Sequence, residues 1–229
     1  FKKMKIGVLL SGCGVYDGAE IHEAVFSLLA IEEKGFVATC IGVNKDQHHV
    51  VNHISGTEMD EKRNMLTEAA RIARGNITDI SDLNLDDIDG LIIPGGFGSA
   101  KSLTSWAFDG PDGKIIKEVK DLILKLIACQ KPIIALCVSP VVISKALEGS
   151  EFKANLTIGS NKEKSPYDID GFKNGLEKTG VSVSMKTIKE INIDYENKII
   201  SAPCYMMEAS ILEIRNNIKQ AVDAMAELI

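Results

Sequence analysis

The sequence predicts an α/β domain: a mostly parallel sheet covered by helices on both faces. Three observations predict it. Short apolar runs at 5–10, 91–93 and 133–136 read as strands buried on both faces, the mark of parallel sheets. Amphipathic helical stretches alternate with them, as in βαβ units. Glycine-rich turns follow the strands, at the sheet edge where such folds bind ligands. With 229 residues, 45% hydrophobic and 25% charged, the chain can bury a full core, and 1–229 is read as a single domain.

The elements follow in order. Residues 5–10 form the first strand, and Ser11-Gly12-Cys13-Gly14 turns tightly after it. A helix spans 19–34, with Ile21, Val25, Leu28 and Leu29 on one apolar face and Gly35 closing it. Residues 37–41 give the second strand. Residues 48–56 alternate like a small hairpin. Their histidines (His48, His49, His53) lack an acidic or cysteine ligand at a fixed spacing, so they read as structural and no metal is expected. A helix over 61–74 ends at Gly75.

The strand at 91–94 runs into Pro94-Gly95-Gly96-Phe97-Gly98, where glycines turn backbone N–H groups outward. No Gly-Lys-Ser/Thr follows at phosphate-loop spacing. Residues 99–113 form an insertion that holds the only tryptophan, Trp106, and offers a flap over the site. A helix at 114–128 leads to the central strand 133–136. Beyond it come a strand at 156–158, a helix at 169–178 and a strand at 181–185. A hairpin joins 191–195 to 198–202, and a last helix covers 210–228.

Composition narrows the function. Net charge is −6 with both signs interspersed, which argues against a nucleic-acid partner. No apolar run is long enough to span a bilayer, and the run at 6–10 is too short for a signal peptide. Five scattered cysteines form no Cys-x-x-Cys pair, which suggests a reducing compartment and a cytoplasmic location.

Cys137 stands out. It ends the central strand, and Ser139-Pro140 opens the next helix, since proline suits a first helical turn. A thiol on that turn faces the free N–H groups of the helix start, which favours the thiolate. This predicts Cys137 as the most acidic of the five thiols. The alternative is a buried core cysteine.

Four stretches together resemble a known family: Ser11-Gly12-Cys13-Gly14-Val15-Tyr16-Asp17-Gly18 with Glu20-Ile21-His22-Glu23, Pro94-Gly95-Gly96-Phe97-Gly98, Leu136-Cys137-Val138-Ser139-Pro140, and Ser201-Ala202-Pro203-Cys204-Tyr205-Met206. They resemble the ES1/ElbB branch of the DJ-1/PfpI superfamily, of class I glutamine amidotransferase-like fold. The resemblance covers nearly the whole chain. It implies a flavodoxin-like three-layer sandwich, a homodimer and no cofactor. It also implies a reactive elbow cysteine at Cys137 and a partner glutamate on the first helix. Glu23 is the best match by its distance to Gly35, and Glu20, one turn earlier, is the fallback. The superfamily elbow usually has glycine after the nucleophile. Here Val138 and Ser139 stand there, which predicts a more crowded turn.

A glutamine amidotransferase needs a histidine downstream of its cysteine. All four histidines precede Cys137, so glutaminase chemistry is not expected. A Cys–Glu dyad remains, and the resemblance implies a glutathione-independent glyoxalase acting on a small aldehyde. In that reading Cys137 attacks a 2-oxoaldehyde and Glu23 moves protons. The N–H groups of Gly95, Gly96 and Val138 hold the oxyanion. His22 reads equally as catalytic or as a rim residue, and Glu23 equally as a solvated helix carboxylate. Cys13 lies in a loop at the ligand-binding edge of the sheet, or is a small buried filler. An oxidation sensor or a metabolite-binding regulator without turnover is the alternative function.

Overall fold

Seven strands line up in one sheet in the computed structural model, which describes residues 2–229. The chain begins β1 (Lys5–Leu9), α1 (Ile21–Glu33), β2 (Val37–Gly42), the hairpin β3 (Val51–Asn52) and β4 (Thr57–Glu58), α2 (Met65–Ile72), β5 (Thr78–Asp79) and β6 (Gly90–Ile93). A short α3 (Trp106–Asp109), α4 (Lys117–Ala128), β7 (Ile133–Leu136), α5 (Pro140–Leu147), β8 (Asn155–Leu156) and α6 (Ile169–Lys178) follow. It ends β9 (Ser182–Val183), β10 (Asn192–Asp194), β11 (Ile199–Ala202) and α7 (Ile211–Leu228).

The sheet order is β10-β11-β7-β6-β1-β2-β5, and only β10 runs antiparallel to its neighbour. At its centre Ile92 lies beside Val8 on one side and Ile134 on the other. Strands β6, β7 and β11 are buried from end to end, which is why they read as unbroken apolar runs. The step β1-α1-β2 moves one way across the sheet and β6-α4-β7 moves the other. Right-handed crossovers then place α1 and α4 on opposite faces. α1 packs on α7, and α4 packs on α5. This is the α/β, flavodoxin-like sandwich that the sequence predicts. The order reverses at the β1/β6 boundary, and a crevice opens there at the strands' carboxyl ends.

Three expectations change. The apolar face of α1 points outward: Ile21, Val25 and Leu29 are 41%, 46% and 45% exposed, while Glu23, Ala24, Ser27, Ala30 and Ile31 are buried. Small residues on the inner face let α7 and the sheet approach closely. α2 starts at Met65 rather than 61, because the Asn64 side chain accepts the Thr67 N–H and caps it there. The 99–113 insertion is a packed buttress instead of a flap. Trp106 is buried against α6, where a Cβ on Gly175 would sit 3.0 Å from the indole, and the Lys145 ammonium donates to the Pro111 carbonyl at 2.7 Å. The histidines are structural: His48 and His49 pack on Phe108 with centroids 4.3 and 5.6 Å apart, and His53 stacks on Tyr16 at 4.8 Å.

Candidate active site

The crevice is floored by the turn after β7. Cys137 holds φ 57°, a left-handed conformation that costs a non-glycine residue energy and marks a forced turn. Backbone bonds fix it: Cys137 N–H donates to Ala202 at 2.9 Å, and Ser139 N–H donates to Leu136 at 2.9 Å. The Ser139 hydroxyl donates to the Pro94 carbonyl at 2.7 Å, which leaves Ser99 Oγ as the donor in their 2.9 Å contact. All of this is buried. The two residues in the usual glycine positions therefore do not crowd the turn. Ser139 bolts it to the end of β6, and Val138 lines the crevice.

Glu23 reaches the same point from α1 and is fully buried. Its Oε1 accepts the Gly95 N–H at 2.8 Å and its Oε2 accepts the Tyr205 N–H at 3.3 Å. Glu20 caps the helix, its Oε2 accepting the Glu23 N–H at 2.7 Å, while Glu20 N–H donates to the Gly95 carbonyl at 2.9 Å. Gly95 is thus clamped between both glutamates. A Cβ on it would lie 2.5 Å from Glu23 Oε1 and 2.9 Å from Cys137 Sγ, so only glycine fits between carboxyl and thiol. Carboxyl and thiol thus face each other across Gly95, close enough for each to shift the other's titration.

Burial dominates the electrostatics. It raises the Glu23 carboxyl to about 8, helped by the charge of Glu20 and opposed by the Tyr205 and Gly95 N–H groups. Burial and then the charge of Glu23 push the Cys137 thiol well above its ordinary range, against the N–H groups of Val138 and Gly96 at the sulfur. Cys137 is therefore not the acidic thiol that its helix-start position predicts, because desolvation outweighs the helix dipole. At neutral pH the pair rests as thiol and carboxylic acid.

The crevice above them is small: the room for the centre of a water-sized molecule is about 20 Å³, within a recess that opens to solvent. Val15, Phe97, Val138, Phe172 and Met206 give it apolar walls, and Glu20, Cys137, Tyr167 and Tyr205 supply its polar groups. Glu20 lines the crevice with its carboxyl raised by burial. Three expectations are corrected. The Gly95 N–H is committed to Glu23 and is no free oxyanion donor, whereas the Gly96 and Val138 N–H groups lie close enough to the sulfur to lower its pKa. Cys13 does not line the crevice; burial raises its thiol, and the charges it feels are those of Arg71, Glu68 and Asp17. His22 stays outside and connects only through Tyr205, its Nδ1 lying 2.7 Å from that hydroxyl. Tyr167 and Phe172 are the residues sequence reasoning missed. They enter from the loop before α6 and from α6 itself, and nothing in their local pattern marks them.

Comparison with known proteins shows the family and the fold. No family model matches the chain. A human mitochondrial protein, glutamine amidotransferase-like class 1 domain-containing protein 3, is 38% identical over 228 residues, covering 98% of this chain and 83% of the relative. The rat mitochondrial ES1 protein homolog is 36% identical over 230 residues, covering 99% and 84%. Among solved structures, an isoprenoid biosynthesis protein with an amidotransferase-like domain from Ehrlichia chaffeensis superposes with a TM-score of 0.89 at 32% identity, covering 98% of this chain and 99% of that one. Glyoxalase III from Candida albicans shares the fold at a TM-score of 0.60 and 15% identity, covering 97% of each chain. The curated relatives are mitochondrial, which overturns the cytoplasmic expectation. Scattered free cysteines report a reducing milieu and do not say which compartment supplies it.

Proposed function

We propose that this chain, a member of the ES1 family, whose human relative is named for a glutamine amidotransferase-like class 1 domain, is a glutathione-independent glyoxalase-type enzyme. Its substrate is a small 2-oxoaldehyde such as methylglyoxal or glyoxal, and its product is the 2-hydroxy acid. The observation that carries the reading is Cys137 on the floor of a small, largely apolar crevice, with the fully buried Glu23 carboxyl behind it across Gly95.

Ionised Glu23 takes the thiol proton as sulfur bonds to the aldehyde carbon, and the proton passes to the carbonyl oxygen to give a hemithioacetal. Glu23 then removes the hydrogen on that carbon. The electron pair forms an enediol, and the proton returns to the neighbouring carbon. The product on sulfur is a thioester of the 2-hydroxy acid. Water adds to it, the carbon–sulfur bond breaks, and the thiol regains its proton. Oxidation of one carbon balances reduction of its neighbour, so the reaction needs no outside redox partner. The Gly96 and Val138 N–H groups stabilise negative charge at the sulfur and at the oxygen beside it.

Glutaminase chemistry lacks its base, because His22 is the histidine nearest the crevice and Tyr205 holds its ring. The test is product formation without glutathione, measured as lactate or glycolate over many turnovers per protein. Cys137→Ala is expected to abolish it. Loss of aldehyde without acid product, or acid product from Cys137→Ala, refutes the reading.

A further inference from the structure

Tyr167 is the one crevice hydroxyl without a protein partner. Its ring stands edge-on to Phe97, with centroids 5.9 Å apart. Its backbone is hooked in place: Tyr167 N–H donates to Ser165 Oγ at 3.0 Å, and that hydroxyl donates to the Met206 carbonyl at 2.5 Å. The side chain lines the same crevice as Cys137; among the described residues no protein hydrogen bond reaches its hydroxyl, which is not sealed from solvent.

The other donors around the sulfur are spoken for. Gly95 N–H and Tyr205 N–H serve Glu23. The Gly96 and Val138 N–H groups act on the thiol, where the first carbon of the substrate attaches, and lower its pKa. The Tyr205 hydroxyl is engaged by His22. A 2-oxoaldehyde bonded through its first carbon still carries a second carbonyl oxygen, and an unmet oxygen in an apolar crevice is costly.

We propose that the Tyr167 hydroxyl donates a hydrogen bond to that second carbonyl oxygen, so that the crevice selects 1,2-dicarbonyl compounds over simple aldehydes. The proposal rests on the assignment of Cys137 as the nucleophile. The hydroxyl stays a donor over the whole working range, since burial and the nearby negative groups push Tyr167 up to about 12.

The test needs no turnover. 2,3-Butanedione can add to Cys137 but has no aldehyde hydrogen to transfer, so its adduct is a dead end. Propionaldehyde adds with no second carbonyl. Each is titrated for protection of Cys137 against iodoacetamide, read by mass spectrometry, in the wild type and in Tyr167→Phe. Tyr167→Phe is expected to raise the butanedione concentration for half protection about tenfold, the worth of one hydrogen bond. It should leave propionaldehyde within about twofold, which also shows the crevice intact. Equal losses for both ligands, unchanged butanedione protection, or no butanedione protection in the wild type each overturn the proposal. Absence of 2-hydroxy acid formation, measured separately, would count against the glyoxalase reading and not against this contact.

Discussion

Glu23→Gln gives the sharpest test of the buried pair, because it makes a stability prediction with a definite sign. The Glu23 carboxyl is raised from 4.5 to about 8 in the folded protein. Below pH 4.5 folded and unfolded chains both hold the proton. Between 4.5 and 8 the unfolded chain releases it and the folded chain keeps it, so each pH unit costs the fold about 1.4 kcal/mol. The full penalty approaches about 5 kcal/mol at pH 8 and above. Glutamine cannot ionise, so the variant escapes it. Its amide oxygen can still accept the Gly95 N–H, while its NH2 faces the Tyr205 N–H donor; that mismatch is the same at every pH. Urea unfolding of both proteins at pH 5.5 and 7.5 therefore isolates the titration. Wild type should lose about 2.7 kcal/mol more than Glu23→Gln between the two pH values. Parallel pH dependence, within about 0.5 kcal/mol, refutes the argument that burial holds Glu23 protonated.

Turnover should rise with pH as Glu23 ionises near 8 and fall about tenfold per unit below it; a flat rate between pH 6 and 8 removes Glu23 as the base. Gly95→Ala should cut kcat at least about 100-fold, since its methyl would part the carboxyl from the thiol; activity within a few-fold of wild type counts against the wedge. Val25→Ser and Leu29→Ser should shift unfolding free energy by no more than about 0.5 kcal/mol each, being half exposed; a loss above 2 kcal/mol in chemical denaturation would mean that this face is covered.

The sheet and the elbow were legible because their signals are local. Unbroken apolar strands, a cysteine at a strand end and a proline at N1 of α5 each constrain a few neighbouring residues. Glu23 was legible only through its match to a family pattern, and Glu20 stayed open until the crevice showed it to be the helix cap. What could not be read depends on distant parts of the chain. Tyr167 and Phe172 meet Cys137 only once α6 is docked. α1 misled because Ile21, Val25 and Leu29 form a regular stripe, yet Ala24, Ser27 and Ala30 make the closer contact. The acidity of Cys137 was misjudged for the same reason: a helix start is visible in sequence, but burial belongs to the whole fold.

The bonds of Glu23 have a bearing on why an ionisable group stands there. Its two oxygens join α1, the turn after β6 and the turn after β11, alongside the Glu20 bond to Gly95 and the His22 contact with Tyr205. The side chain fastens the rim of the crevice. Yet the burial that seats it costs the fold stability as pH rises, and a glutamine would keep the Gly95 bond without that cost. These bonds alone therefore do not account for an ionisable group at this position; what sets it apart from a purely structural tie is the thiol of Cys137 across Gly95.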